Sequence, residues 1–316
     1  MNLDITFPEH DFPPSREFRA DYERRVELGR QRMSQSSVVI CGLARDVADV
    51  LLHTTARIER LGAMFSDYRV VIYENDSRDD TKPLLIAWSR RNPRVNATLE
   101  CRGDPINPNA RCLKRATRMA RYRNHCLDTV RTHFSHFDYA IVVDTDLAGG
   151  WSFDGIANSL GHDAWDYIGS NGIIIKRVGL RLNVTIQYDA WAFRLDEAFT
   201  PFTTQQVNSM SWTRGEPLVP VTCSFGGLGL FRMSAYLAGD YSGDDVDHVT
   251  HQRRARANGF TRVFLNPSQV VLYGRRQRSL DPVLFPSLKF LTRLPGLRHW
   301  QTLVRPDFSP IAQPLG

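Results

Sequence analysis

The chain has 316 residues, 42% of them hydrophobic and 23% charged, the profile of an ordinary soluble globular protein with room for one large domain or two small ones. No apolar run approaches the length of a membrane-spanning helix. A net charge of +6 and a pI of about 9.2 suit anionic ligands, whether phosphates, nucleic acid or an anionic membrane surface.

Residues 1–36 are Pro-containing at first and then charged (DYERRVELGRQRM), which predicts an N-terminal extension with a helix packed on the main domain. No basic-then-apolar leader opens the chain, and the five cysteines at 41, 101, 112, 126 and 223 are odd in number, with no CxxC pair. That pattern argues against a disulfide framework or a zinc site, and predicts a cytoplasmic protein in a reducing compartment. The sequons at Asn75, Asn96 and Asn183 are then chance matches.

The first strand is expected at 37–42, a helix at 46–63, a second strand at 68–73 and a helix at 79–91 with Pro83 in its first turn. A third strand at 95–101 precedes a Pro/Asn-rich loop at 103–110, a long basic helix at 111–133 and the strand Asp138–Asp144. Later strands are expected at 165–170, 173–176 and 227–232. A helix over 244–258 follows, then a last strand pair around Asn266-Pro267. Strands alternating with helices predict an α/β domain with a mostly parallel sheet, whose ligands bind beyond the C-terminal strand ends. Three polar clusters occupy such ends: 41–46, 74–80 and 144–147.

The strand ending in Asp144-Thr-Asp146 is the most informative segment. Two carboxylates two residues apart at a strand end can converge on one hard cation, Mn²⁺ or Mg²⁺, with substrate phosphates and water completing its shell. A turn using Asp for backbone hydrogen bonds is the plainer alternative. In Glu74-Asn-Asp-Ser-Arg-Asp-Asp-Thr81, acidic side chains could accept hydrogen bonds from a nucleoside, or Ser77 and Asp80 could form a capping box. In the basic helix, Leu113, Ala116, Ala120, Leu127 and Val130 form an apolar stripe. Arg123 and Asn124 fall on it and must find acidic or phosphate partners. Arg115, Arg118 and Arg121 read as a solvated face. Asp244, Asp247, His248 and His251 share one helical face, so a histidine there could complete a metal shell and an aspartate take a proton. Gly226-Gly227 allows close backbone approach or a tight turn, and Trp151, Trp165, Trp191 and Trp212 offer stacking surfaces.

In this order the motifs resemble the GT-A glycosyltransferases: the segment Val38 to Asp46, the NDSxDxT-type loop Asn75–Thr81, the RxAxxRN helix Arg118–Asn124, the DxD at Asp144–Asp146 and the distal Asp/His helix. The resemblance covers 37–275. The CGLARD, YENDS and GGLGLFRM–DxDHV–NP segments look like the capsular mannosyltransferase type. It implies a Rossmann-like GT-A catalytic domain with helices on both faces, divided into a nucleotide-binding half (37–150) and a mixed acceptor half (151–275). It also implies a nucleotide-sugar donor and a saccharide or lipid-linked acceptor. Arg45, Asp46, Glu74, Asp76, Arg123 and Asp144 would then contact the donor. Asp144 and Asp146 would hold Mn²⁺ or Mg²⁺ with His248 or His251, and Asp245 or Asp247 would be the base. The chain departs from the family's usual pattern at Glu74-Asn-Asp76 and in lacking a Glu-Asp acceptor motif.

A sugar-nucleotide pyrophosphorylase would need a Gly-rich phosphate loop after the first strand, where Cys41–Asp46 supplies one glycine. A haloacid-dehalogenase-type phosphatase would need Thr where Ala148 stands. A non-catalytic carbohydrate-binding protein of the same fold is the alternative from another class. Dispersed arginines without a recognition motif argue against nucleic acid. The basic tail 276–316, with Phe285, Leu288 and Phe290 among Lys289 and Arg293, could rest on the inner face of an anionic membrane, with packing on the catalytic domain the favoured alternative.

Overall fold

The structure, a computed structural model, describes residues 5–103, 112–178 and 182–274. The 276–316 tail and nearly all of the 103–110 loop lie outside the described residues, and with them the membrane-contact expectation. Among the described residues no helix is long and apolar enough to cross a membrane.

The charged stretch forms helix α1 (Arg19–Gln35). Short apolar runs then make strands β1 (Ser37–Ala44), β2 (Asp67–Asn75), β3 (Val95–Glu100) and β4 (Tyr139–Asp144). All are parallel, in the order β3-β2-β1-β4. Helices α2 (Ala48–Gly62), α3 (Thr81–Arg91) and α4 (Leu113–His133) connect them. Alternation along each strand sends Val38, Ile40, Val70, Ile72, Ile141 and Val143 to one core, against α2 and α3. Val39, Cys41, Val71, Ala140 and Val142 face the other, against Ala120, Leu127 and Val130 of α4. A sheet covered on both faces explains why these strands are apolar on both sides.

Beyond β4 the sheet becomes mixed. Its remaining strands are β5 (Gly150–Trp151), β6 (Tyr167–Val178), β7 (Leu182–Gln187), β8 (Val219–Pro220), β9 (Leu228–Arg232) and β10 (Val263–Leu272). The path continues β4-β9-β6-β10-β5, with β9 antiparallel to both neighbours and β10 parallel to β6, while β7 and β8 pair with β6 and β10. Helices α5 (Phe153–Leu160), α6 (Thr204–Ser209), α7 (Met233–Leu237) and α8 (Asp247–Ala257) complete the described chain. The α/β class holds, with the parallel part confined to β3-β2-β1-β4 and to the β6–β10 pair. Helix α1 lies on α5, so close that a Cβ on Gly29 would overlap the Ala157 carbonyl oxygen. Arg30 pairs there with Asp154 at 2.6 Å.

Several boundaries differ from the sequence expectation. The runs at 165–170 and 173–176 are parts of one strand, β6, because Gly172 continues the extended chain between them. Asn266-Pro267 lies inside β10, where a shift of register between Asn266 and Val270 accommodates a proline without an N–H. Helix α8 starts at Asp247, leaving Asp244 outside it. Leu113 is exposed, so the buried stripe of α4 begins at Ala120.

Candidate active site

The end of β4 is braced from three sides. The Asp144 amide donates to the Gly227 carbonyl at 2.9 Å, and buried Thr145 donates its hydroxyl to the Leu43 carbonyl at 2.7 Å. Helix α2 contributes two buried polar side chains: Thr54 donates to the Thr145 carbonyl at 3.1 Å and Arg57 to the Ala148 carbonyl at 3.1 Å. Gly226 and Gly227, both at positive φ, make the turn that carries the Gly227 carbonyl, so the glycine pair serves a tight turn.

Asp144 and Asp146 are held by side chains from the far half of the chain. Tyr188 donates to Asp144 Oδ2 at 2.9 Å and Tyr273 to Asp146 Oδ2 at 3.3 Å. Arg123 reaches Asp144 Oδ1 at 3.3 Å and Asp247 Oδ2 at 2.5 Å, with its guanidinium 5.3 Å over the Phe225 ring. The inward-facing arginine of α4 thus finds two carboxylates from different elements. Burial raises the Asp144 carboxyl to about 6, helped by Asp146 and Asp247 and opposed by Arg123. Asp247 goes the other way: against burial, its ion pair with Arg123 holds it at about 2. Asn124, its neighbour on the stripe, clamps both backbone groups of Tyr241, at 2.9 and 3.0 Å.

Asp245 is paired with Arg194 at 3.2 Å and Arg253 at 3.0 Å. Both candidate bases are therefore engaged by arginines. The two histidines do not share one environment. His248 stacks on Phe225 at 3.6 Å beside Arg123, its Nε2 buried without a hydrogen-bond partner, and burial pushes it well below an ordinary histidine. His251 sits fully buried among Phe231, Tyr236 and Tyr241 with Nε2 3.0 Å from the Tyr236 carbonyl, and burial lowers it to about 4. Asp244 pairs with Arg253 on the surface. Among the described residues no three His, Cys, Asp or Glu side chains come together as a metal-ligand set.

On the β1 and β2 side the acids are spent on backbone. Asp46, at φ 50°, accepts from the Arg78 amide at 2.8 Å, while its own amide donates to Ser77 Oγ at 3.0 Å. Arg45 lies 3.4 Å from Asp46. Glu74, fully buried, accepts from the Ser77 amide at 2.8 Å and lies 3.8 Å from Lys82. Asp76, at φ 56°, accepts from the amides of Arg102 at 2.7 Å and Gly103 at 2.9 Å and from Asn75 at 3.0 Å. Burial opposes these bonds, but they hold it at about 2. The Ser77/Asp80 capping box does not form. Ser77 is used by Asp46, and Asp79 accepts from the amides of Ala48 and Thr81 instead.

Sequence reasoning missed four groups. Tyr273 ends the expected last strand, where the rule applied to β1, β2 and β4 would have found it, whereas Tyr188 follows β7, a strand the sequence pattern did not announce. Asp189 stands at φ 54°, at the start of the short turn Ala190–Ala192, without capping it. Its carboxyl is raised well above the ordinary range, by burial first and then by Asp144 and Asp247. Arg115, assigned to a solvated face, stacks 5.7 Å over Trp191 and acts on Asp189 and Asp247. Trp151 and Trp165 are core residues, each 1% exposed, which removes them as sugar-stacking surfaces. A cleft of about 460 Å³ lies elsewhere, lined by Glu9, Tyr22, Arg30, Asp154 and Arg214, and holds none of the expected site residues.

The donor chemistry fits a hard divalent cation at Asp144 and Asp146. Asp146 and Asp247 act on Asp144, and Asp144 and Asp247 act on Asp189, beside the buried Arg123; burial first, and then this like charge, raises Asp144 and Asp189. The protein supplies two ligands of the pair itself, so substrate oxygens and water would complete the shell.

No protein-family model matches the chain, and no curated protein sequence does. Solved structures of similar shape include the mannosyltransferase PcManGT from Pyrobaculum calidifontis in complex with GDP-Man and Mn²⁺. It is 13% identical over 83% of this chain and 68% of that one, with a TM-score of 0.45. GalNAc-T7 with UDP, GalNAc and Mn²⁺ is 11% identical over 84% of this chain and 54% of that one, at 0.45. TarS 1-349 of S. aureus is 11% identical over 75% and 60%, at 0.41. The chain thus spans little more than half the length of GalNAc-T7, and likeness at this level carries no argument about chemistry.

Proposed function

We propose that the protein is a GT-A glycosyltransferase that moves a sugar from a nucleotide-sugar to a saccharide or lipid-linked hydroxyl, with Mn²⁺ or Mg²⁺ held by Asp144 and Asp146. The observation that carries this reading is the gathering of Asp144, Asp146, Arg123 and Asp247 at the C-terminal end of β4, the position where open α/β sheets bind ligands. The bound ion would offset charge on the departing nucleoside diphosphate. Arg123, desolvated and fixed by two carboxylates, presents a preorganised positive charge to the same diphosphate. Asp247 then serves to orient Arg123, since a carboxylate held at about 2 is a weak proton acceptor. Asp189, on the acceptor half and free of capping duty, is the better carboxylate to receive a hydrogen bond from the acceptor hydroxyl.

Asp46, Glu74 and Asp76 shape the donor crevice by bracing its loops, and their contribution to the nucleoside is the form of that crevice. The same bracing speaks against a pyrophosphorylase. The amides of Asp46, Val47 and Ala48 already donate to Ser77, Thr81 and Asp79, so the β1–α2 loop has none of these to offer a phosphate. A mannosyl donor is the first to try, on the sequence resemblance alone. Thermal-shift measurements with UDP-, GDP- and dTDP-sugars, with and without Mn²⁺, test the function. Stabilisation by one nucleotide-sugar only in the presence of metal is expected, and release of nucleoside diphosphate on adding acceptor separates an enzyme from a carbohydrate-binding protein.

A further inference from the structure

The two aspartates at the end of β4 are tied to two tyrosines that belong together. Tyr188 follows β7 and Tyr273 follows β10, the two strands flanking β6. Their amides donate to consecutive carbonyls of β6, Gly172 at 2.9 Å and Ile173 at 3.0 Å. The rings therefore leave opposite edges of one strand and stack on each other, centroids 4.6 Å apart and planes within 17°. From that stack one hydroxyl ends on Asp144 Oδ2 and the other on Asp146 Oδ2.

Further contacts fit the pair to this place. The Gly227 carbonyl that holds the Asp144 amide belongs to a residue whose Cβ would come within 3.0 Å of the Tyr188 ring. The Gly149 amide, just past Asp146, donates to the Tyr273 carbonyl at 3.4 Å. Each aspartate is thus fixed to its own tyrosine's neighbourhood through backbone as well as side chain. A stacked ring on a strand-anchored backbone leaves a phenol almost no freedom, so each hydroxyl fixes the rotation of the carboxylate it meets.

We infer that Tyr188 and Tyr273 are a positioning pair that sets the two carboxylates for a single divalent cation, placing cation affinity under the control of the acceptor half. The inference rests on the proposed metal role of Asp144 and Asp146. Neither tyrosine touches the reacting atoms; each acts through an aspartate. Outer hydroxyls that orient metal ligands typically change affinity by about 10–100-fold when removed. Removing the hydroxyl keeps the ring and its stack, which separates positioning from packing.

The test titrates the full chain with Mn²⁺, alone and with UDP or GDP, following free Mn²⁺ by its electron paramagnetic resonance signal. Thermal midpoints are recorded in parallel. Wild type should bind Mn²⁺, Asp146→Ala should not, and Tyr188→Phe and Tyr273→Phe should each bind about tenfold more weakly, with midpoints within about 2 °C of wild type. Equal Mn²⁺ affinity in wild type and both Phe variants, with Asp146→Ala still defective, overturns the positioning pair and leaves the proposed function standing. A weakened affinity matched by a collapsed midpoint also overturns it, since that result describes packing. No Mn²⁺ binding by wild type under either condition overturns the metal role and the positioning pair together.

Discussion

Two groups of acids stand at the same end of the same sheet, and the chain treats them in opposite ways. Asp46, Glu74 and Asp76 accept from backbone amides of neighbouring loops. Asp144, Asp146 and Asp247 are met by side chains, two tyrosines and an arginine, and Asp189 is not even used as a cap. A carboxylate satisfied by amides is low in pKa and hard to move, as Asp76 at about 2 illustrates. Asp144, buried and beside Asp146 and Asp247, is raised to about 6, while Asp247 is held low in its ion pair with Arg123. Acidity at a strand end is therefore not one signal: the first group braces loop backbone, and the second is the one to which the proposed function assigns a ligand.

That contrast can be broken by substitution. The largest expected stability effect is at the junction of the second group. Arg123→Ala strands buried Asp247 and should cost about 3–5 kcal/mol in chemical denaturation. A loss below 1 kcal/mol would mean that the arginine is not held as described. Next is Asp76→Ala, which leaves the Arg102 and Gly103 amides without their acceptor and should cost about 1–3 kcal/mol. Unchanged stability with lost donor affinity would make Asp76 a ligand contact instead.

A comparable effect is expected from His251 on acidification. Its pKa is about 4 in the fold and about 6.5 unfolded, so both states are neutral above pH 6.5. Between 6.5 and 4 the unfolded chain takes a proton that the fold refuses, and stability falls by on the order of 2–3 kcal/mol. His251→Phe should flatten that limb of a Tm-versus-pH curve, and an unaltered slope would rule the buried ring out as its source. The smallest effect is a gain. Asp189→Asn removes a raised carboxylate and should stabilise by about 0.5–2 kcal/mol at pH 7. A carboxyl raised by folding destabilises above its unfolded pKa, so the gain should vanish below about pH 4.

The sequence made the parallel strands legible because apolar runs buried on both faces have few other uses, and it placed Asp144 at a strand end correctly. It also marked Arg123 as an inward charge. What it did not reveal were partners from distant loops. Ser77 looked like a helix cap because its real partner, the Asp46 amide, is 31 residues away in the chain. His251 looked like a ligand because helical spacing gives a face but not what the face meets, here three aromatic rings. Arg115 was assigned to solvent on spacing, although Trp191 and the acids draw it inward. Asp189 left no pattern at all, since a single residue at positive φ carries no period.

The most direct test of the proposed metal role of Asp144 and Asp146 is donor binding by wild type and Asp146→Ala, measured by thermal shift with a panel of nucleotide-sugars and Mn²⁺. Metal-dependent stabilisation of wild type, absent in an Asp146→Ala protein that is itself fully folded, is the result expected. Equal stabilisation of the two proteins, or stabilisation of wild type without metal, would contradict the account.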